Sequence, residues 1–293
     1  MRKNIPKIAF EPTNQDHSGF EIVTIDKIAR DKGKYLHDPE EPHQLQFYNT
    51  IFYTGGQGRQ FIDFQWFPVK ENSLVYLTRD QVNAFDFSGS LKGICLIFTE
   101  SYFLDCFSNL PEDFVFRLFN PQLFSPVVQI PKGSEFREYF DLLLKEYPNS
   151  NAFNQRTVLQ SLFTILISKA EQIKQHQTFH IKDSKKMRLF RQFAGLLEEH
   201  HSKSRNADYY ARELAITYKH LNATCRALLN KTAKQVIDEY VILQAKRSLT
   251  NSDLKSNELA YSLGFEDPTN FTKYFKKHTG LTPNSFKKSL KIA

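Results

Sequence analysis

The chain has 293 residues, with 39 Lys+Arg against 32 Asp+Glu for a net charge of +7, three cysteines and 41% hydrophobic residues. That length fits two domains; no apolar run reaches the roughly 18 residues of a membrane helix and Met1–Phe10 lacks a signal-peptide core, so a soluble, cytoplasmic chain with no membrane partner is expected. Cys95, Cys106 and Cys225 have no paired spacing and read as buried thiols, and the common nucleophile-elbow, phosphate-loop and zinc-protease motifs are absent, so no catalytic residue, cofactor or enzymatic activity is expected.

The first part of the chain reads as β-rich. Candidate strands are Phe47 to Tyr53, Gln60 to Trp66, Leu74 to Leu77, Asn83 to Phe87 and Gly93 to Phe98, separated by turn signals such as Gly55-Gly56-Gln57-Gly58 and Glu71-Asn72-Ser73. Short, evenly spaced strands suggest a barrel or sandwich. At period two, alternate members of an aromatic set (Phe47, Tyr48, Phe52, Tyr53, Phe61, Phe64, Trp66, Phe67, Tyr76, Phe85, Phe87) face inward, either as filled core or as the lining of a pocket for a small effector. Helical periodicity then takes over at Glu100 to Phe107, Glu135 to Tyr147 and Gln155 to Ile173. The last carries Val158, Leu159, Leu162, Phe163, Ile165, Leu166, Ile167 and Ala170, a stripe wide enough to face both its own domain and a second subunit. The polar run Lys174-Gln175-His176-Gln177 with Lys182-Asp183-Ser184 reads as a linker.

Lys185 to His200 opens the second part, with Leu189, Phe190, Phe193, Leu196 and Leu197 on one face. His200-His201 is no metal pair, because adjacent helical residues point about 100° apart. Beyond it one unit occurs twice. Tyr210-Ala211, Leu214, Ala215-Ile216-Thr217, Leu221, Cys225-Arg226, Asn230 and Thr232 recur as Leu259-Ala260, Leu263, Gly264-Phe265-Glu266, Phe271, Phe275-Lys276, Gly280 and Thr282, at an offset of 49 up to the turn and 50 after it. Each copy has the chemistry of a helix-turn-helix. In the second, Gly264 ends a helix begun near Ser256, and Asp267-Pro268 cap and start another that runs to about His278. In the first, Thr217 caps a helix from about Tyr218 to Leu229 with Leu221, Cys225 and Leu228 inward, leaving Lys219, His220, Asn222, Ala223 and Arg226 outward. Lys234 to Leu249 joins the copies, with Val236, Ile237, Tyr240, Val241 and Ala245 as its stripe. Charge follows the same division: residues 185–293 hold 20 basic and 10 acidic groups, whereas the first 184 hold 19 and 22. The basic excess is a property of the tail and points to a polyanion partner.

The tail resembles the DNA-binding domain of the AraC/XylS family of bacterial transcription regulators, most specifically in Gly264-Phe265-Glu266-Asp267-Pro268, Phe271-Thr272-Lys273-Tyr274-Phe275-Lys276-Lys277 and Thr279-Gly280-Leu281-Thr282-Pro283. The first copy departs from the family pattern at Ala223, Cys225 and Asn230. The β-rich part resembles, more weakly, the cupin-like sensor domain of many members, through Pro42-His43, Phe47-Tyr48, Gly55-Gly56-Gln57-Gly58, Ile62-Asp63 and Gln81-Val82-Asn83. It lacks the His-x-His of metal cupins at His43-Gln44-Leu45, and Asn83 stands where a His often does, so no metal is expected.

The resemblance implies an α+β chain: residues 1–175 form a cupin-like β-barrel with a helical extension for regulation and dimerisation, residues 176–184 a linker, and residues 185–293 an all-α domain with two helix-turn-helix units joined by a connecting helix. It implies double-stranded DNA, a second copy of the chain, a small effector in the barrel and RNA polymerase as partners. Two recognition helices would then enter successive major grooves. A connecting helix of about 16 residues spans about 24 Å, which approaches the ~34 Å between grooves one turn apart once half a helix diameter is added at each end. Carried over residue by residue, Lys219, Asn222 and Ala223 in the first helix and Pro268, Thr269, Thr272 and Lys273 in the second are candidates for base edges. Arg226, Lys276, Lys277, Lys287 and Lys288 are candidates for phosphates. The competing readings are a cupin-type enzyme with a basic helical appendage and a non-specific architectural DNA binder.

Overall fold

The computed structural model describes residues 5–12, 19–107, 120, 125–148, 153–177, 184–251 and 256–289. The chain is mixed α+β and divides into two compact units, Pro6–Phe179 and His180–Ala293, the latter together with Met1–Ile5.

In the first unit ten strands are described: β1 (Lys7–Ile8), β2 (Phe20–Thr24), β3 (His43–Leu45), β4 (Tyr48–Gly55), β5 (Gln57–Ile62), β6 (Gln65–Lys70), β7 (Ser73–Leu77), β8 (Val82–Ala84), β9 (Lys92–Phe98) and β10 (Val127–Gln129). They form two five-stranded sheets, ordered β1-β3-β8-β5-β6 and β10-β7-β4-β9-β2. Helix α1 (Ile25–Arg30) follows β2, α2 (Glu100–Phe107) follows β9, and α3 (Phe136–Glu146) and α4 (Gln155–Gln177) follow β10.

Alternation along the strands sorts the side chains into two cores. Ile51, Tyr53, Val75, Leu77 and Cys95 of the second sheet join Leu45, Ile62 and Val69 of the first. Their neighbours in sequence, Phe52, Leu74, Tyr76, Ile94, Leu96 and Phe98, point the other way and pack on Phe103, Phe107, Phe140, Leu143, Phe163 and Ile167 of the helices. The second sheet is therefore buried on both faces. The aromatic set divides accordingly: Phe47, Tyr53 and Phe85 lie in the first core, Phe52 and Tyr76 in the second, and Phe61 packs on Trp66 with ring centroids 5.0 Å apart.

The run expected as one strand, Gln60 to Trp66, is a hairpin. Asp63 and Phe64 both take left-handed backbone, φ 45° and 69°, and reverse the chain between β5 and β6 without a glycine. The stretch Lys174–Gln177 expected as linker is the end of α4, since Lys and Gln are good helix formers. Lys174 is buried, with its ammonium 4.7 Å from the Tyr76 ring. Of the remaining linker residues, 178–183 lie outside the described residues and Ser184 begins the next helix. Among the described residues no helix is long and apolar enough to cross a membrane.

His43 and Asn83 are cross-strand partners, and they form part of a buried polar chain. Tyr53 Oη donates to Gln60 Oε1 (2.5 Å), Gln60 Nε2 to Asn83 Oδ1 (2.5 Å), Asn83 Nδ2 to His43 Nε2 (3.3 Å), and His43 Nδ1 to the Glu41 carbonyl (3.0 Å). This directionality requires a neutral imidazole. Burial pushes the His43 pKa down to about 4, with the nearby His37 adding to the shift and the Glu41 carbonyl opposing it. An unfolded histidine protonates near 6.5, so stability is intact above that pH and falls as the pH drops toward 4. Going from pH 7 to pH 5 should cost the first unit about 2 kcal/mol through this group alone. Urea denaturation followed by the fluorescence of the single tryptophan, Trp66, reads this unit; His43→Gln should flatten the pH dependence, and an unchanged slope would clear His43 of the effect.

Candidate nucleic-acid interface

In the second unit the helices are α5 (Ser184–His200), α6 (Ala207–Glu213), α7 (Tyr218–Leu229), α8 (Ala233–Asn251), α9 (Ser256–Ser262), α10 (Pro268–Thr279) and α11 (Pro283–Ser289). Local chemistry sets the ends of both candidate recognition helices. Thr217 caps α7, its hydroxyl accepting from His220 N, and Asn230 closes that helix in left-handed backbone at φ 55°. Asp267 caps α10 by accepting from Thr269 N, Pro268 occupies the first turn, and Gly280 closes the helix at φ 77°.

The two turns repeat bond for bond. Ala215 N donates to Arg212 O and Ile216 N to Ala211 O; 49 residues later Gly264 N donates to Tyr261 O and Phe265 N to Ala260 O, all at 2.9 Å. Each is a helix ending whose left-handed residue lets the next amide reach back five positions. Ala215 takes φ 53° and Gly264 φ 75°. The surroundings differ. A Cβ on Gly264 would lie 1.7 Å from the carbonyl oxygen of Ser202, and Arg205, three residues on, donates from Nη1 to both Leu263 O and Gly264 O at 3.1 Å while its guanidinium lies 3.7 Å from the Phe265 ring centroid. The loop that precedes the first copy is thus bonded to the turn of the second.

Helix α8 packs against α6, α7, α9, α10 and α11 and buries Val236, Ile237, Val241, Ile242, Ala245 and Leu249. Both α7 and α10 are amphipathic on it: Leu221, Thr224, Cys225 and Leu228 of the first and Phe271 and Phe275 of the second are buried. What remains outward is mainly basic and polar, with Tyr218 and His220 also exposed in the first turn of α7. Lys219, Ala223 and Arg226 are exposed on α7, and Thr269, Lys273, Lys276 and Lys277 are exposed on α10. Pro268 is half-buried in the first turn of α10; Lys288 is exposed and Lys287 half-buried on α11.

Two candidates are not simply outward. Asn222 is half-buried, and its Oδ1 accepts from Ala233 N at 3.1 Å, capping the start of α8. Thr272 is half-buried, and its hydroxyl donates back to Pro268 O at 3.0 Å, which leaves its methyl to meet a ligand. Sequence periodicity treats Tyr274 as an inward apolar residue and passes over Asp238, yet Tyr274 Oη donates to Asp238 Oδ1 at 2.6 Å and Lys234 bonds the same oxygen. The available signal was an acid set among the apolar residues of α8, four positions after Lys234.

The backbone strain at the two turns gives a test. Gly264→Ala combines left-handed strain with a backbone clash and should destabilise the second unit by at least ~2 kcal/mol. Ala215→Gly relieves strain of ~1 kcal/mol at an exposed site and should be neutral or stabilising. Thermal melting followed by the helical far-UV signal measures both, and equal effects at the two turns would contradict the packing described.

Comparison with known proteins matches residues 210–289 to the family model of a helix-turn-helix domain. An uncharacterized HTH-type transcriptional regulator of Bacillus subtilis (strain 168), YisR, is 27% identical over 114 residues, which are 39% of this chain and 39% of the relative. A second uncharacterized HTH-type regulator, from the cgkA 5' region of Pseudoalteromonas carrageenovora, is 31% identical over 93 residues, covering 32% of this chain and 55% of that one. The alignments thus span from about two fifths to just over half of these relatives. A structure of ToxT from Vibrio cholerae O395 bound to (E)-4-(8-methylnaphthalen-1-yl)but-3-enoic acid superposes at a TM-score of 0.46 with 13% identity, over 93% of this chain and 99% of that chain, a likeness too loose to bear on function.

Proposed function

We propose that this chain, whose C-terminal segment is a helix-turn-helix domain of the AraC type, is a sequence-specific DNA-binding transcription regulator that lays α7 and α10 into successive major grooves of one duplex. The observation that carries the reading is the pairing of two capped amphipathic helices on one buried helix, each presenting lysine or arginine with small side chains outward. Long basic side chains at a helix surface reach guanine edges and phosphates, and small ones let the backbone approach the groove.

Roles follow from placement. Lys219 and Ala223 of α7 and Thr269, Thr272 and Lys273 of α10 meet base edges, with Pro268 against the groove wall; the Thr272 methyl suits a thymine methyl. Arg226, Lys276, Lys277, Lys287 and Lys288 neutralise phosphates. Asn222 offers its amide N–H groups to a base, while its oxygen already accepts from the start of α8. Lys273→Ala should relax preference at one base-pair position by ~1 to 3 kcal/mol, whereas Lys277→Ala should weaken all sequences evenly and lower the salt slope by about one. Competition binding with a duplex recovered from a random pool and its scrambled counterpart, across salt, measures both. Equal losses on the two duplexes for Lys273→Ala would remove its base-reading role, and a wild-type chain that does not discriminate them would leave only architectural binding.

Of the two expected routes of control, self-association has the better support. The space between the sheets is occupied by Leu45, Ile51, Tyr53, Ile62, Val75 and Leu77, which an effector there would have to displace. On α4, by contrast, Val158 and Ile165 are 40% and 42% exposed seven residues apart, on one helical face. A second copy covering that face would pair two DNA-binding domains on one operator, and RNA polymerase recruited beside it would complete the regulatory reading. Ile165→Glu should convert a dimer to a monomer in analytical ultracentrifugation; a wild-type chain already monomeric at micromolar concentration would refute this route.

A further inference from the structure

We propose that Asp238 and Asn222 are positioning residues that fix the separation and rotation of the two recognition helices, and so make the domain intolerant of changes in the spacing between the two DNA segments it reads. The inference rests on the two-groove reading above.

Both recognition helices are referenced to the first turns of α8 by directional bonds. From α7, Asn222 Oδ1 accepts from Ala233 N, the first residue of α8. From α10, two residues one turn apart converge on a single carboxylate: Tyr274 Oη donates to Asp238 Oδ1 at 2.6 Å, and His278 Nε2 lies 3.8 Å from Oδ2, with the Tyr274 and His278 rings 4.7 Å apart. Asp238 is 8% exposed and holds Lys234 of its own helix on the same oxygen as Tyr274. Positions 233 and 238 lie about 7.5 Å apart along the helix axis. The two anchor points are therefore close together on one rigid rod, and the recognition helices cannot drift independently along it.

The apolar contacts do not do this by themselves. Packing of Phe271 and Phe275 on one side and Leu221 and Cys225 on the other resists separation, but dispersion and hydrophobic contact are non-directional and tolerate a slide or roll of a helix. A hydrogen bond to a carboxylate is short, directional and stronger than a neutral one. Anchoring the Tyr274 hydroxyl, which stands off the axis of α10, to that carboxylate opposes rotation about the axis as well as translation. Base readout depends on angles of this kind, since a bidentate contact is lost with a small rotation of the helix that carries it.

The test uses the full chain and a duplex recovered by selection from a random pool, together with derivatives in which one base pair is inserted or removed between the two protected segments. Footprinting of the unaltered chain comes first: protection of one segment only would overturn the two-groove reading and this inference with it. With two segments protected, the unaltered chain should lose roughly tenfold or more on the shifted duplexes, as for a mismatched site. Tyr274→Phe removes one hydroxyl and keeps the ring; it should narrow that ratio to about threefold, mainly by losing affinity for the native spacing. Asp238→Asn leaves Tyr274 a weaker, neutral acceptor and should give a ratio between those of the unaltered and Tyr274→Phe chains; a ratio outside that interval would overturn the role of Asp238. A Tyr274→Phe chain that weakens equally on every spacing, or whose profile does not change, would overturn the proposal and leave the bond a purely structural one.

Discussion

The burial of α8 is the constraint on which the second unit depends. A helix-turn-helix copy of two short helices has one apolar face and nothing of its own to cover it; α6 and α9 have seven residues each, too few to hold together as isolated helices in water. Helix α8 supplies the missing surface to both copies, which is why its apolar residues Val236, Ile237, Val241, Ile242, Ala245 and Leu249 run around more than one side of the helix. Each of the Val, Ile and Leu side chains contributes ~1.5 to 3 kcal/mol when fully buried, most of it offset by ordering the chain. Helix α8 lies against both copies, while α5 also packs on the first and α11 on the second, so the two copies share one core helix. Two surfaces that could each hold a groove thus come as one object.

The second unit was legible because its signals are local. Thr217, Asp267 and Pro268 mark helix starts by their own chemistry, Gly264 and Gly280 mark ends, and α7 runs over the expected Tyr218–Leu229. Periodicity separates Lys219, Ala223, Lys273 and Lys277 from the buried Leu221, Cys225, Phe271 and Phe275 for the same reason. The bonds of Asn222 to Ala233, of Tyr274 to Asp238 and of Arg205 to Leu263 and Gly264 have no local signature: their partners are 11, 36, 58 and 59 residues away. In the first unit the sheets depend on pairings of that distant kind. β10 is three residues long and exists because it pairs with β7, more than 50 positions earlier; β1 and β3 are parallel and only two and three residues long. The missed hairpin at Asp63–Phe64 has a separate cause, because Phe64 stands in left-handed backbone where a glycine usually announces such a turn.

The two copies have diverged unevenly, and the packing explains where. Four residues in the repeated pair take left-handed backbone: Ala215 and Asn230 in the first copy, Gly264 and Gly280 in the second. At Gly280 a Cβ would meet nothing within 4 Å, and Ala215 and Asn230 are exposed, so those three positions are subject to backbone strain alone. Such strain is ~1 kcal/mol, and asparagine bears it more easily than alanine. Gly264 is different, because the Ser202 carbonyl occupies the place where a Cβ would go and Arg205 holds that loop down through two carbonyls and the Phe265 ring. The Gly-Phe pair of the second copy therefore records more than a turn. It is the point where the start of the first copy docks on the second, and the first copy, whose turn residue Ala215 is exposed with no such loop on it among the described residues, carries Ala-Ile at the same place.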